Sequence, residues 1–334
     1  MLLQLYSLKP RAGFLHHFLP AGITIFLLLL SVRNINTIQA QTPFDGIMMP
    51  KHNACIFAGY SQGSFDHYWE ADRLRTNETI SKFTRRSYSW MAAVGIMDKL
   101  NVYAGFPYVQ TSSSEPNGGK LDGVNGLQDL ELAAKYQFLN KEGEFGTTRA
   151  SATIDFTTPL TKYLSDYQPY SIGLGAPQLT YQLLASHQFK QNVYLRANAA
   201  YVWRGYTKAE RIYYYADGSH YSDWMDVPSA WTFGGALGGY LFGEDLRLEL
   251  SYVNFSSIDG DDIRPYNSSQ PTNKVEFGQV GFLAQYKPKF AKGFGIIANH
   301  QRTISGRNTG KMNSINIGLT YQFVYFKNKP THEN

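Results

Sequence analysis

One unit recurs along the chain from about residue 53: an alternating apolar and polar segment, a tight turn, a second alternating segment and a long polar loop. Successive side chains of a β-strand point to opposite faces, so an alternation of period two predicts strands. Each segment has at least about nine residues, the length that a tilted strand needs to cross a bilayer. Twelve segments are predicted, at 53–66, 83–97, 100–111, 127–140, 145–158, 178–189, 193–207, 231–242, 246–258, 275–287, 294–306 and 314–326.

The connections between these segments alternate in length. The short ones lie at 98–99, 141–144, 190–192, 243–245 and 288–293. The longer, polar ones lie around 67–82, 112–126, 159–177, 208–230, 259–274 and 307–313. An even-stranded membrane barrel with both termini in the periplasm has short inner turns and long outer loops in these proportions. We therefore predict an all-β fold: a closed antiparallel up-and-down transmembrane β-barrel of about 12 strands over residues 53–326.

Alternation alone does not separate this barrel from a soluble sandwich, whose apolar faces point inward. The aromatic residues favour the barrel, because they fall in two bands at opposite strand ends, as in interfacial girdles. One band lies near the short turns and comprises Phe138, Phe189, Phe242, Tyr286 and Phe323. The other lies near the long loops and comprises Trp90, Phe106, Tyr108, Phe156, Trp203 and Tyr252. The four glycines of 231–242 predict a bulge or a close backbone approach.

The first forty residues resemble a secretory signal peptide. Lys9 and Arg11 precede an apolar run at 21–32, and Ala40 is a small residue at a suitable cleavage position. We predict removal of 1–40, a periplasmic stretch at 41–52 and a C-terminal tail at 327–334; an uncleaved anchor helix is the alternative. Removing 1–40 takes away three basic residues and no acid, so the formal charge falls from +5 to +2. No basic stripe remains that would indicate nucleic-acid binding.

Charged residues on the polar faces are the candidate functional residues. If the alternation holds, nine of them project into the barrel: Arg85, Glu131, Lys135, Arg149, Asp155, Arg196, Arg204, Arg247 and Glu249. One interpretation is a polar path that selects solutes by size and local field. The other is that these charges neutralise one another and fill the interior, because a twelve-stranded lumen lies between filled small barrels and open porins. Both interpretations stay open at this point.

Two resemblances bear on targeting and function. Residues 316–323 (NIGLTYQF) resemble the β-signal that the β-barrel assembly machinery recognises. The matching residues are Asn316, Gly318, Tyr321 and Phe323, although the signal is usually at the C-terminus and here further residues follow it.

The run GIMDKL at 95–100, continuing to FPYV at 106–109, is similar to a hairpin of the outer-membrane family named for the MetA pathway of phenol degradation. Residues 126–132 (GLQDLEL) with Lys135 and Tyr136 resemble that family's G-x-x-D-L-x-L-x-x-K-Y strand, with Gln128 where the family often has Gly.

The family resemblance covers about residues 85–140 and implies a transporter in the cell outer membrane. It implies contact with outer-membrane lipid and passage of small, often hydrophobic or aromatic, organic solutes, with no cofactor. The alternative functions are a structural or adhesive barrel, suggested by the Tyr-rich loop 208–230, and an outer-membrane lipid hydrolase. The hydrolase alternative is weak because His300 and Ser305 do not match the phospholipase motif, and a nucleophile needs its base within hydrogen-bond reach.

Metal binding is not predicted. The acidic loop 259–262 supplies oxygen ligands of the kind that Ca²⁺ prefers, but it lacks the bidentate Glu of an EF-hand. A solvated turn is the better interpretation of this loop. We predict neither catalytic residues nor metal ligands.

Overall fold

The computed structural model describes residues 42–264 and 268–326. The predicted signal peptide, 1–40, and the predicted tail, 327–334, lie outside these residues. Within the described ranges, no helix has the length and apolar character needed to cross a bilayer.

Twelve long strands form the main sheet, and each predicted segment corresponds to one of them with ends within three residues. They are β1 Asn53–Phe65, β2 Phe83–Met97, β3 Leu100–Ser113, β4 Asp129–Gly143, β5 Gly146–Pro159, β6 Gln178–Phe189, β7 Val193–Arg204, β8 Ala230–Leu241, β9 Leu246–Ser257, β10 Glu276–Tyr286, β11 Phe294–Arg307 and β12 Asn313–Val324.

The sheet closes on itself. Each strand pairs antiparallel with the next along the chain, and β12 pairs with β1. The predicted closed twelve-stranded up-and-down barrel is therefore confirmed. Closure leaves no unpaired edge, which matters because hydrocarbon offers backbone N–H and C=O groups no partner. The ends of the barrel are called here the short-turn end and the long-loop end, after their connections.

Burial shows which face of the wall is apolar. On the outer face, Leu183, Leu250 and Ile317 expose 62%, 60% and 53% of their surface, whereas the inward-facing Lys135 and Gln322 expose 1% each. A soluble protein has the opposite arrangement. Aromatic residues from both predicted bands are exposed: Phe138, Phe242 and Tyr286 near the short turns, and Phe156 and Trp203 near the long loops. Trp90, Phe106 and Tyr252 are also exposed, but they lie at the middle of their strands and not near the long loops.

The glycines of β8 permit close approaches without a bulge. Its ladders to β7 and β9 run without a register shift. A Cβ at Gly238 would collide with the ring of Tyr194, and one at Gly234 would meet the amide of Asn198. The bulges lie elsewhere, in the β2–β3, β4–β5 and β10–β11 pairs. At Gly234 and Gly238 it is thus a side chain, and not another backbone, that approaches closely, and the predicted bulge is not present in β8.

The long loops contain seven short strands that the sequence did not predict. They are His67–Glu70, Arg73–Thr76, Asn125–Leu127, Tyr206–Lys208, Tyr214–Tyr215, Ser219–His220 and Trp224–Asp226. None exceeds four residues, which is too short for a period of two to stand out from chance.

The seam between β1 and β12 provides a test of packing. The ring of Phe57 lies across Gly59 and Gly318, and a Cβ at either glycine would collide with it. We expect Gly318→Val to lower the free energy of unfolding by about 2 kcal/mol, because overpacking strains the wall, and Phe57→Ala to relieve most of that loss. Urea unfolding of protein refolded in detergent measures this without the assembly machinery. Additive effects in the double variant would contradict the contact; Gly235→Ala, at an open position, is the control.

Candidate functional site in the barrel interior

Residues 42–50, called here the N-terminal segment, contact inward-facing side chains of the barrel. The ammonium group of Lys135 donates to the carbonyl oxygens of Thr42, Asp45 and Ile47 at 3.0, 3.1 and 2.8 Å, and to the Asp45 carboxylate at 3.1 Å. A buried ammonium group needs acceptors to offset its lost hydration. Residues 42–49 therefore lie inside the barrel, and Lys51, whose backbone N–H donates to the Asp98 side chain of a short turn, lies at the short-turn end.

Further contacts hold the same segment. The side-chain amide of Asn101 pairs with the backbone of Met49 in both directions, at 3.3 and 3.2 Å. Arg196 donates to the carbonyl oxygen of Phe44 at 2.8 Å. The side chain of Met49 is fully buried among inward-facing residues of four strands, Cys55, Ala93, Tyr103 and Ala133. The N-terminal segment thus narrows the interior near the short-turn end.

The loop 160–177, called here the inner loop, narrows the long-loop end. Arg85 donates to the carbonyl oxygen of Ile172 at 2.7 Å, and Thr111 donates to that of Tyr170 at 2.7 Å. Both donors belong to the inward-facing side of the wall. Tyr170 and Ile172 are buried. The inner loop is therefore folded against the barrel interior rather than extended away from it.

A cavity of about 580 Å³ borders the N-terminal segment. Its polar lining includes Thr42, Asp45, Glu131, Asp155, Gln178, Gln182, Arg196, Asn198, Arg204, Arg247, Glu249, Gln285, Asn299 and Gln301. Apolar residues are fewer among its lining, and they include Phe44, Ala200, Val202, Leu283 and Ile297. The composition suits solutes that form hydrogen bonds or carry charge.

One carboxylate links strands β7 and β9 of the cavity wall across the intervening β8. Glu249 accepts from Arg196 and Arg247 at 2.6 Å each and from the hydroxyl of Tyr194 at 2.7 Å. Arg247 also donates to that hydroxyl, at 2.7 Å. Tyr194 reaches β9 from β7 because Gly238, between them on β8, has no side chain in the way. We call these four residues the Glu249 cluster.

The strand registers place all nine predicted charged residues on the inward-facing side. Besides the Glu249 cluster and Lys135, they fall into different settings. Arg85 holds the inner loop, Arg149 donates to Gln188 at 3.0 Å, and Arg204 donates to Gln178 at 2.9 Å and to the Pro228 carbonyl at 3.2 Å. Glu131 and Asp155 form no ion pair with any described basic residue. Their role in lining a path stays a prediction.

Important contributors escaped the sequence analysis. Asp45, Asn101, Tyr194 and Gln182 all act in the interior, and Asp45 lies outside any alternating segment. The alternation that places Arg196 on the inward face also places Tyr194, two residues earlier, on that face. It carried no signal for a partner two strands away, which depends on the glycine of the intervening strand.

Other predicted features lie away from this interior. His300 is on the outer face and its ring nitrogen Nε2 hydrogen-bonds Asn313 at 2.7 Å, so no serine partner accompanies it in the described residues. Partial burial disfavours the charge of Asp262, but hydrogen bonds from Arg307 and Asn308 outweigh it and keep the pKa of its carboxyl below the ordinary value. No group of three or more His, Cys, Asp or Glu residues suited to a metal occurs in the ranges 42–264 and 268–326.

Comparison with known proteins gives a family for this architecture. The family model described as "Putative MetA-pathway of phenol degradation" matches residues 59–319, from β1 to β12. The chain belongs to this family. The match extends the resemblance of residues 85–140 to nearly the whole barrel. No curated protein matches the chain by sequence.

Solved structures share the barrel at low sequence identity. An outer membrane channel from Pseudomonas putida F1 is 13% identical, with 85% of this chain and 100% of that chain covered and a TM-score of 0.68. The translocator domain of the autotransporter NalP from Neisseria meningitidis is 14% identical, with 84% and 90% covered and a TM-score of 0.44. The first of these likenesses supports the fold of this family member.

Proposed function

We propose that this protein is an outer-membrane channel for passive passage of small organic solutes, exported by removal of residues 1–40 and inserted by the β-barrel assembly machinery. The observation that carries the proposal is a closed barrel with an apolar outer face and a charged cavity inside. The family membership and the fold of the Pseudomonas putida channel support it. The short-turn end then faces the periplasm and the long-loop end faces the exterior.

The conformation described here is a narrowed one. The N-terminal segment restricts the periplasmic half, and the inner loop restricts the outer mouth. A solute would then have to pass through the cavity that remains between these two elements and the barrel wall. Because most residues that line the cavity are polar or charged, the proposal favours small organic solutes with hydrogen-bonding or charged groups, whose apolar parts can contact the apolar surface beside them. It requires no cofactor and no catalytic residue.

An adhesive or structural barrel is the second candidate. The loop 206–226 carries exposed aromatic side chains, with Tyr221 86% exposed and Tyr213 and Trp224 also exposed. Such a surface suits contact with a partner outside the cell. A barrel that binds a surface partner yet never conducts ions in a lipid bilayer would favour this candidate.

Ion conductance of the purified protein in planar bilayers tests the channel. We expect stepwise conductance in the wild type. Arg204→Ala should shift the reversal potential towards cation preference, because Arg204 has no acidic partner among the described residues and its loss removes positive charge from the cavity. Arg302→Ala, on the outer face, is the matched control. Absence of conductance, or an ion preference unchanged in Arg204→Ala, would refute the channel or the lining role respectively.

A further inference from the structure

Phe44 differs from the other apolar residues of the N-terminal segment. It is 41% exposed and lines the cavity, whereas Pro43, Ile47 and Met49 are buried. Tyr252 is the other aromatic residue at this cavity, and the strand register places its side chain on the outer face of the wall. Among the described residues that line the cavity, Phe44 is therefore the one that presents an aromatic ring from the inside.

The backbone around Phe44 forms a turn that is fixed by its own hydrogen bonds. The N–H of Asp45 donates to the carbonyl oxygen of Thr42. Pro43 takes the second position of this turn, where its restricted φ is favourable. The Asp45 carboxylate accepts from the N–H groups of Thr42 and Ile47 at 2.7 and 3.0 Å. Phe44 thus lies at the tip of a closed turn.

The barrel wall also binds this turn through its backbone. The carbonyl oxygens of four consecutive residues, 42–45, accept hydrogen bonds of 2.8 to 3.2 Å from side chains of the wall. The donors are Lys135 of β4, Thr153 of β5 and Arg196 of β7. All these bonds involve backbone atoms of the turn, so they position the ring of Phe44 without covering it. A contact group held in place in advance loses little entropy when a ligand binds.

The exposed ring selects the part of a solute that would contact it. An apolar group laid against the ring removes apolar surface from water, which is favourable, whereas a polar group would lose hydration there. Leu283 and Ile297, partly exposed on β10 and β11, add apolar surface to the same cavity. We propose that Phe44 binds the apolar part of a solute and thereby favours amphiphilic solutes over equally charged, fully polar ones. Such a role in selection rests on the channel function proposed above.

Saturation-transfer NMR of the purified, natively processed protein in detergent measures this contact, with L-leucine and L-asparagine as probes. Both amino acids carry one ammonium and one carboxylate group and have nearly equal mass, and they differ in whether the end of the side chain is apolar or polar. Both charged groups find counter-charges in the cavity, which is lined by arginines and acids. We expect the dissociation constant of leucine to be lower than that of asparagine by at least about threefold. Micelles without protein are the blank.

Substitutions at residue 44 test whether the ring causes this preference. In Phe44→Gln, which replaces the ring with a polar side chain, we expect leucine to bind no better than asparagine. Phe44→Leu keeps an apolar side chain and should keep the preference. Val202→Thr is the matched control, because Val202 lines the same cavity but is only 8% exposed, so its change should leave the preference unaltered. Heat-dependent electrophoretic mobility checks that each variant is folded.

Three results would overturn this role of Phe44: equal affinity of the wild type for leucine and asparagine, binding of neither probe, or a preference for leucine that persists in Phe44→Gln. The NMR measurement needs no ion flow. A barrel that does not conduct can therefore still show the preference for leucine, and a conducting channel can lack it. The channel function and the role of Phe44 thus fail separately.

Discussion

Replacing Glu249 with alanine is expected to lower the free energy of unfolding by about 3 kcal/mol, the lower part of the range for breaking a buried ion pair. The Glu249 side chain is 4% exposed and is the acid bonded to both Arg196 and Arg247. Its loss leaves two cationic groups side by side with reduced access to water. Water in the adjoining cavity solvates part of the freed charge, which is why the lower figure is chosen. Urea unfolding in detergent measures the change.

Two comparison variants isolate the cause. Tyr194→Phe removes one hydroxyl from the Glu249 cluster and keeps the ring over Gly238, so we expect a loss of about 1 kcal/mol. Glu276→Ala removes a partly exposed acid paired with Lys274, where the expected loss is below about 1 kcal/mol. If Glu249→Ala lowers the free energy of unfolding no more than Glu276→Ala does, the Glu249 cluster stabilises the barrel no more than a partly exposed ion pair.

Deleting residues 42–50 is expected to raise single-channel conductance several-fold. The N-terminal segment occupies interior volume and is fixed there by Lys135, Asn101 and Arg196. Without it, the space at the short-turn end is open to ions, and conductance through a water-filled pore grows with its cross-section. Recordings in planar bilayers at fixed salt compare the deletion with the wild type. We also expect ion preference to change, because Lys135 loses Asp45 as its counter-charge.

A point variant separates the presence of the segment from its attachment. Lys135→Met keeps the segment but removes its donor to four acceptors. We expect noisier recordings with transient openings above the wild-type level, as the segment leaves and returns. Conductance identical to wild type in the deletion, with the barrel still folded by heat-dependent electrophoretic mobility, would mean that the segment does not restrict the path.

The sequence predicted which side chains of the candidate site point inward, but not which of them contact one another. Parity along each strand put Arg196 and Glu249 on the inward side, because the direction of a side chain within a strand is a local property. The contact between Arg196 and Glu249 depends on the register of β7 and β9 with the intervening strand β8, and on the small residues that β8 has at this level. Likewise, Glu131 and Asp155 were predicted only as two inward-facing charges, and the register shows that they lie diagonally across two neighbouring strands.

From the sequence alone follow a barrel of about twelve strands, the alternation of short turns and long loops, and the face on which most strand side chains lie. The face follows from a period of two within each segment, and the strand number follows from the repeat of bilayer-sized segments and alternating connections along the chain. That residues 42–50 turn back into the barrel became visible only in the folded chain. That stretch has no apolar–polar periodicity. Lys135 is bonded mainly by backbone carbonyl oxygens, which every sequence has, so the residue types of the stretch do not reveal the contact. Whether such a segment stays outside or packs inside depends on a buried cation more than eighty residues away.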